Sequence, residues 1–181
     1  MNLPSREECL EMLREHKNPE LIINHSLKVA EVAKYLAEKM KGNGVQLNVD
    51  LVEKSALLHD VAKFMTLDSD IRHGIKGAEI MLEKGYPEIA KIVEEHALSE
   101  ILKKGKLKSM ESRIVYYADK RVTKDRLVSL DERFSYLRER YGIKSRHILD
   151  TINACYEPCK KLEQEIFSAA KADPELSGIG S

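Results

Sequence analysis

The sequence predicts an all-α protein. Apolar residues recur at spacings of three and four along nearly the whole chain, and no stretch sustains the period-two alternation of a strand. Helix-start chemistry interrupts that pattern: Ser5 with Glu8, Asp50 with Glu53 and Ser129 with Glu132 each put a short polar side chain three residues ahead of a carboxylate. That arrangement satisfies the free amides of a first helical turn. Gly42-Asn43-Gly44, Gly85 and Gly142 supply the matching stops.

The elements follow in order. A short helix is expected from Ser5 to about Glu15. Asn18-Pro19 restarts the chain, Asn as cap and Pro in the first turn, where its missing N–H costs nothing. This second helix runs to about Lys41 with an apolar face of Ile22, Val29, Val32, Ala33, Leu36 and Met40. Asp50 opens the third. Its Leu51, Val52, Ala56, Leu57, Leu58, Val61 and Ala62 are apolar over more than one face, which marks a central helix, with His59 and Asp60 near its C-terminal end. Thr66 to Asp70 is a polar connection. Ile71 to Lys84 is helical, opened by His73-Gly74, and Pro87 starts a helix through Ile89, Ala90, Ile92, Val93 and His96 to about Lys103. Lys103 to Lys108 is a basic loop expected to be solvated. Further helices span about Ser109 to Val122, with Asp119 four residues after Val115, and Ser129 to Tyr141, with Phe134, Leu137 and Tyr141 on one stripe. The last covers about Lys144 to Lys171, where Pro158 predicts a kink or break. The expected layout is a single domain over 1–172, a motif-bearing core at about 18–122, C-terminal helices at 128–172 and a frayed tail at 173–181.

The length, 181 residues, suits one compact core. Lys and Arg total 30, as do Asp and Glu, so the charge balance gives no reason to expect nucleic acid as a partner. No apolar run approaches a membrane span, and the N-terminus does not read as a signal peptide, so a cytoplasmic protein is expected. The scattered Cys9, Cys155 and Cys159 imply packed free thiols rather than a disulfide framework. A homodimer is compatible with all of this.

Polar groups on apolar faces carry the functional signal. His25 is in line with Val29, Val32 and Leu36; His59-Asp60 follows an apolar run; His96 follows Ile89, Ile92 and Val93; Asp119 follows Val115. Each alone is most simply a hydrogen-bonded core residue. As a set on four helices they are costly to bury without a cation, and helical bundles hold metals with ligands from facing helices. His16 and His147 fall outside this set.

With those residues in view, the chain resembles the HD superfamily of metal-dependent phosphohydrolases. The match lies in Asn24-His25-Ser26-Leu27-Lys28-Val29-Ala30, Ala56-Leu57-Leu58-His59-Asp60-Val61-Ala62-Lys63 and Tyr117-Ala118-Asp119-Lys120, in the family's order. His73-Gly74-Ile75-Lys76-Gly77-Ala78 and Glu95-His96-Ala97 fill the places of two more histidines, a layout similar to the symmetrical diadenosine-tetraphosphate hydrolases. The tripeptide Gly85-Tyr86-Pro87 is the one that names the cyclic-di-GMP-degrading branch, but here it precedes a lone His96 and reads as a helix cap followed by a first-turn proline.

The resemblance implies an HD-domain helical bundle with a two-metal site in its core. His25, His59, Asp60 and Asp119 would hold one ion and His73 and His96 the second, Asp60 bridging. Nitrogen and oxygen donors without sulfur favour Fe or Mn, with Zn, Co and Ni also suitable. Asp60 and Lys63 are the expected catalytic residues. Lys63, Lys120 and Arg121, with Lys124 and Arg126 beyond them, are the expected binders of a small phosphate substrate, a nucleotide by the resemblance. Two other readings stand beside the phosphohydrolase: a dinuclear-iron oxygenase, and a metal-stabilised domain that senses a nucleotide without catalysis.

Overall fold

The computed structural model describes residues 2–179. Among them the chain forms eight α-helices: α1 (Arg6–Glu15), α2 (Glu20–Gly42), α3 (Val49–Leu58), α4 (His73–Glu83), α5 (Pro87–Glu95), α6 (Met110–Lys120), α7 (Leu130–Arg140) and α8 (Arg146–Ala170). The one sheet is a hairpin of two-residue strands, β1 (Val122–Thr123) and β2 (Arg126–Leu127), turned through Lys124 at positive φ. It is too short to leave a period-two signal in the sequence.

The two reciprocal caps at Ser5/Glu8 and Ser129/Glu132 are formed as the spacing predicts. The third is not. Asn48, two residues upstream of Asp50, accepts from the Leu51 amide and starts α3, leaving Asp50 in the first turn. Asn18 is not a cap either. It is buried, and its amide donates to the carbonyls of Leu13 (3.0 Å) and Val61 (2.7 Å). Asn18 thereby ties the α1–α2 turn to the segment after α3.

Helix α2 packs on α3 and α6, and α3 also meets α5 and α6, so α3 is central, as its all-round apolar pattern predicts. Val29, Val32, Leu36, Met40, Leu57, Leu58, Ile114 and Val115 are fully buried among them, each large side chain contributing about 1.5–3 kcal/mol. Helix α4 lies close against α5. A Cβ at Gly77 would stand 2.8 Å from Val93 Cγ1, and one at Gly74 3.2 Å from the Val93 carbonyl oxygen. These glycines permit the approach.

Three boundary expectations are corrected. Helix α3 ends at Leu58, and the chain continues in tighter turns in which Val61 donates to Leu58 and Lys63 to Asp60. His59 and Asp60 thus sit just past the helix. Helix α5 ends at Glu95 instead of near Lys103, with a 3-10 turn over Leu98–Leu102 beyond it. Helix α8 runs through Pro158 without a break. The carbonyl that Pro158 leaves without an amide belongs to Ala154, which is exposed to solvent. Gly85 does take positive φ ahead of Pro87, the cap and first-turn proline read from the sequence.

The expected frayed tail also packs in part. Leu176 is buried and the Pro174 carbonyl accepts from Arg121 at 3.0 Å; residues 180–181 of that tail lie outside the described residues. The basic loop 103–108 is mostly exposed, although Lys103 and Lys106 pair with Glu100 and Glu94. All three cysteines are buried and free. Among the described residues no helix is long and apolar enough to cross a membrane.

Candidate metal centre

Six side chains from five places in the chain converge where α2, α3, α5 and α6 meet. His25 comes from mid-α2, His59 and Asp60 from the turn after α3, His73 from the first residue of α4, His96 from the residue after α5 and Asp119 from the last turn of α6. All but His73 are buried.

The ring tautomers follow from backbone contacts. His25 Nδ1 lies 2.7 Å from the Lys124 carbonyl oxygen, His59 Nδ1 2.7 Å from that of Ala56, and His96 Nδ1 2.5 Å from that of Val93. A carbonyl only accepts, so each Nδ1 carries hydrogen and donates, and each Nε2 is left to carry either a lone pair or a second proton. Those Nε2 atoms all face carboxylates. His25 Nε2 is 3.1 Å from Asp119 Oδ1, and His59 Nε2 is 3.3 Å from Asp60 Oδ2 and 3.7 Å from Asp119 Oδ1. His96 Nε2 is 3.6 Å from Asp60 Oδ1 and 3.0 Å from His73 Nε2, itself 3.4 Å from Asp60 Oδ1. Among the described residues, His59 Nε2 is buried with no hydrogen-bond partner. Lone pair against lone pair is repulsive, so the arrangement calls for a proton or a metal cation between the donors. Histidine Nε2 atoms oriented by backbone carbonyls, with carboxylates interleaved, are a donor set that fits a divalent metal.

Asp60 divides the site. Its Oδ2 faces His25 and His59, and its Oδ1 faces His73 and His96. Two clusters can therefore hold an ion, His25-His59-Asp60 and Asp60-His73-His96, with Asp60 common to both. Asp119 closes the first from the far side.

The protonation pattern of the site's own side chains reports the same field. Burial presses the Asp60 and Asp119 carboxyls toward the neutral form, yet Lys63 and His59 beside Asp60, and Lys120 and His25 beside Asp119, hold both well below the usual carboxylate range. Burial disfavours the charged form of His59, but the two carboxylates outweigh it and lift that imidazole to about 9. A proton on His59 stands where a metal would. His73 is pushed down to about 4, by burial and then by His96, which burial also lowers.

A cavity of about 380 Å³ opens onto this centre, lined by Asp60, Lys63, His73, His96, Asp119, Lys120, Arg133, Leu137 and Tyr141 among others. Lys63 Nζ donates to Asp60 Oδ2 at 2.6 Å from the cavity wall, half-exposed. Burial lowers its proton affinity, but Asp60 more than compensates and keeps it charged.

Two expected substrate binders are placed differently. Lys120 is buried: its Nζ donates to the His96 carbonyl (2.7 Å) and to Asp119 Oδ2 (2.7 Å), and sits 4.2 Å from the Tyr116 ring centroid. It braces two candidate ligands and has little left for a substrate. Arg121 turns away from the cavity and binds the carbonyls of Val128 and Pro174 and the Tyr117 hydroxyl, a joint between α6, the hairpin and the C-terminal segment. Lys124 and Arg126 are exposed in the hairpin and do not line the cavity.

Arg133 of α7 is the residue the sequence reading missed. Its Nη2 lies 3.8 Å from Asp119 Oδ1 and its Nη1 donates to Thr123 Oγ1 at 3.4 Å, while its buried Nε has no partner among the described residues. A signal was present: Arg133, Leu137 and Tyr141 are spaced by four, and all three line the cavity.

The HD domain family matches residues 22–123, a span that includes all six converging side chains, and the chain belongs to that family. It is 32% identical over 135 residues to an uncharacterized protein of Methanocaldococcus jannaschii, covering 68% of this chain and 79% of that one. It is 30% identical over 183 residues to a protein of Picrophilus torridus named tRNA (cytidine(56)-2'-O)-methyltransferase, covering 94% of this chain but only 49% of that one. A Thermoplasma volcanium protein of the same name is 28% identical, with 40% of its length covered. The chain thus spans half or less of the methyltransferases it matches. No solved structure matches it.

Proposed function

We propose that this chain is a metal-dependent phosphohydrolase that cleaves a phosphate ester or anhydride, of a nucleotide by the resemblance, with water activated at a two-metal centre. The observation that carries the proposal is the division of Asp60, one oxygen toward His25 and His59 and the other toward His73 and His96. Fe or Mn suits the nitrogen and oxygen donors. A bound ion pair would supply an acidified water and neutralise charge on the phosphoryl oxygens.

The chain's own part is positional and electrostatic. Asp60 orients both clusters. Lys63 and Arg133 line the cavity as permanent cations placed to receive phosphoryl oxygens. Lys120 holds the His96 carbonyl and Asp119 in register. The methyl transfer printed in the names of two relatives belongs to chains at least twice the length of their matched part, and none of the site's groups is assigned to it.

The test is a phosphate-release screen over nucleotides, dinucleoside polyphosphates and cyclic dinucleotides with Mn or Fe supplied. Release abolished by a chelator and restored by metal is expected. A metal-loaded protein that releases no phosphate overturns the proposal. Oxygen uptake would then select the oxygenase reading, and tight nucleotide binding without turnover the sensing one.

A further inference from the structure

A second cavity, of about 460 Å³, adjoins the metal-facing one and shares Ala97, Leu98, Leu137 and Tyr141 with it. Either alone is at the small end of the range for small-molecule sites, about 300–1,000 Å³. Their common wall suits a ligand with two parts.

The two halves differ in chemistry. The inner half carries the carboxylates, histidines, Lys63 and Arg133. The outer half is mainly apolar, with Leu98, Leu137, Ile148 and Ile152, one aromatic ring, Tyr141, and a polar fringe of Ser99, Thr151, His147 and Lys144. Tyr141 is 38% exposed and is held by an edge contact with Tyr136 and by Lys144, whose Nζ lies 5.5 Å from the ring centroid. A fixed, half-exposed aromatic over an apolar floor with hydroxyl and cationic groups at its edge fits a flat heteroaromatic group. Such a group stacks on one side and carries hydrogen-bonding edges. A plain aliphatic chain would leave the fringe unused. Tyr141, Lys144, His147, Ile148, Thr151 and Ile152 lie beyond residues 22–123, so the C-terminal helices supply much of this half, while Arg72, Ala97, Leu98 and Ser99 come from the family domain.

We infer that the outer cavity is a nucleobase subsite in which the base of the substrate stacks against Tyr141 while its phosphate reaches Lys63, Arg133 and the metal clusters. The inference rests on the phosphohydrolase reading and makes the recognised substrate a nucleotide rather than a bare sugar phosphate. Tyr141 is then a specificity-determining residue.

The test is calorimetric titration of the manganese-loaded full chain with non-hydrolysable methylenephosphonate analogues of ribose 5-phosphate and of the adenine, guanine, cytosine and uracil nucleoside monophosphates. At least one nucleotide analogue is expected to bind about tenfold or more tightly than the sugar phosphate analogue. In Tyr141→Ala that preference should collapse to within about twofold, and in Tyr141→Phe it should survive. The position is partly exposed, and thermal melts of both variants check that they are folded. Equal binding of all the analogues to the native chain, or a preference that persists in Tyr141→Ala, overturns the subsite. Failure of the native chain to bind any of them overturns the phosphate site beneath it, a result distinct from equal binding.

Discussion

At the scale of single residues, the site is a competition between burial and charge. Asp60 is 1% exposed and would be neutral in an apolar pocket, but Lys63 at 2.6 Å and the imidazoles around it keep it ionised. Lys63 and Arg133 have related roles at different depths, and their variants should separate binding from metal retention. Lys63→Ala and Arg133→Ala are each expected to lower kcat/KM about 10–100-fold, with metal content remaining at the native level. Metal analysis beside steady-state kinetics checks this, and loss of metal from either variant would make that residue structural. Away from the site, buried Glu53 receives Arg6 at 2.7 Å, Lys54 at 3.0 Å and Lys34 at 3.5 Å. Burial raises its pKa, but the Lys54 bond and the three charges outweigh it, and the folded-state value lies below the ordinary one. The stabilisation is therefore present at pH 7 and lost as pH falls through the folded-state value. Glu53→Gln should cost about 1 kcal/mol at neutral pH, modest because Arg6 and Lys34 are half-exposed and screened. That difference should shrink below about pH 4 when melts are compared across pH, and a difference that grows on acidification would refute it.

At the scale of elements, glycine decides where the second cluster forms. His73 begins α4 and His96 follows α5, so their 3.0 Å approach depends on how closely those two helices pack. Gly77 sits in that interface with Val93 and Val61 against it. Alanine there would gain about 1 kcal/mol in helix propensity, yet its Cβ would meet Val93 Cγ1 at 2.8 Å, and a β-branched side chain yields little. Gly77→Ala is expected to lower stability by about 1–3 kcal/mol and to weaken the Asp60-His73-His96 cluster before the other one. Melting curves with metal stoichiometry at limiting metal check both effects, and a higher Tm would show that propensity outweighs packing. The turn after α3 works the opposite way. It tightens where a longer helix was expected, and Asn18 fixes it by donating to the Val61 carbonyl.

At the scale of the whole molecule, the centre's own side chains form a partly compensated cluster. Two buried carboxylates are balanced by Lys63, Lys120 and a proton on His59, while the Nε2 atoms of His25, His73 and His96 converge beside them. Binding of a cation to the folded chain alone would stabilise the fold, by about 2.7 kcal/mol at a hundred times Kd. Chelation is therefore expected to lower Tm by roughly 5–10 °C, with recovery on adding Mn or Fe. Calorimetric scans with and without chelator test this, and a Tm indifferent to metal would mean that the centre binds none. The C-terminal helices matter at this scale too, because α7 and α8 complete a cavity that the family domain only begins.

The sequence by itself determined the all-α class, most helix positions and the six-residue constellation, because helical periodicity and the cost of burying His and Asp are local and legible. His25, His59, Asp60, His73, His96 and Asp119 could be named from spacing and resemblance. What only the tertiary structure decided is direction. Lys120 and Arg121 are adjacent to Asp119, and sequence placed both with the substrate, yet one braces the ligands from inside and the other faces away. Arg133 lies outside every motif and enters the cavity because α7 folds back over it. The period of a helix fixes which residues share a face, whereas the packing of one helix on another fixes what that face meets.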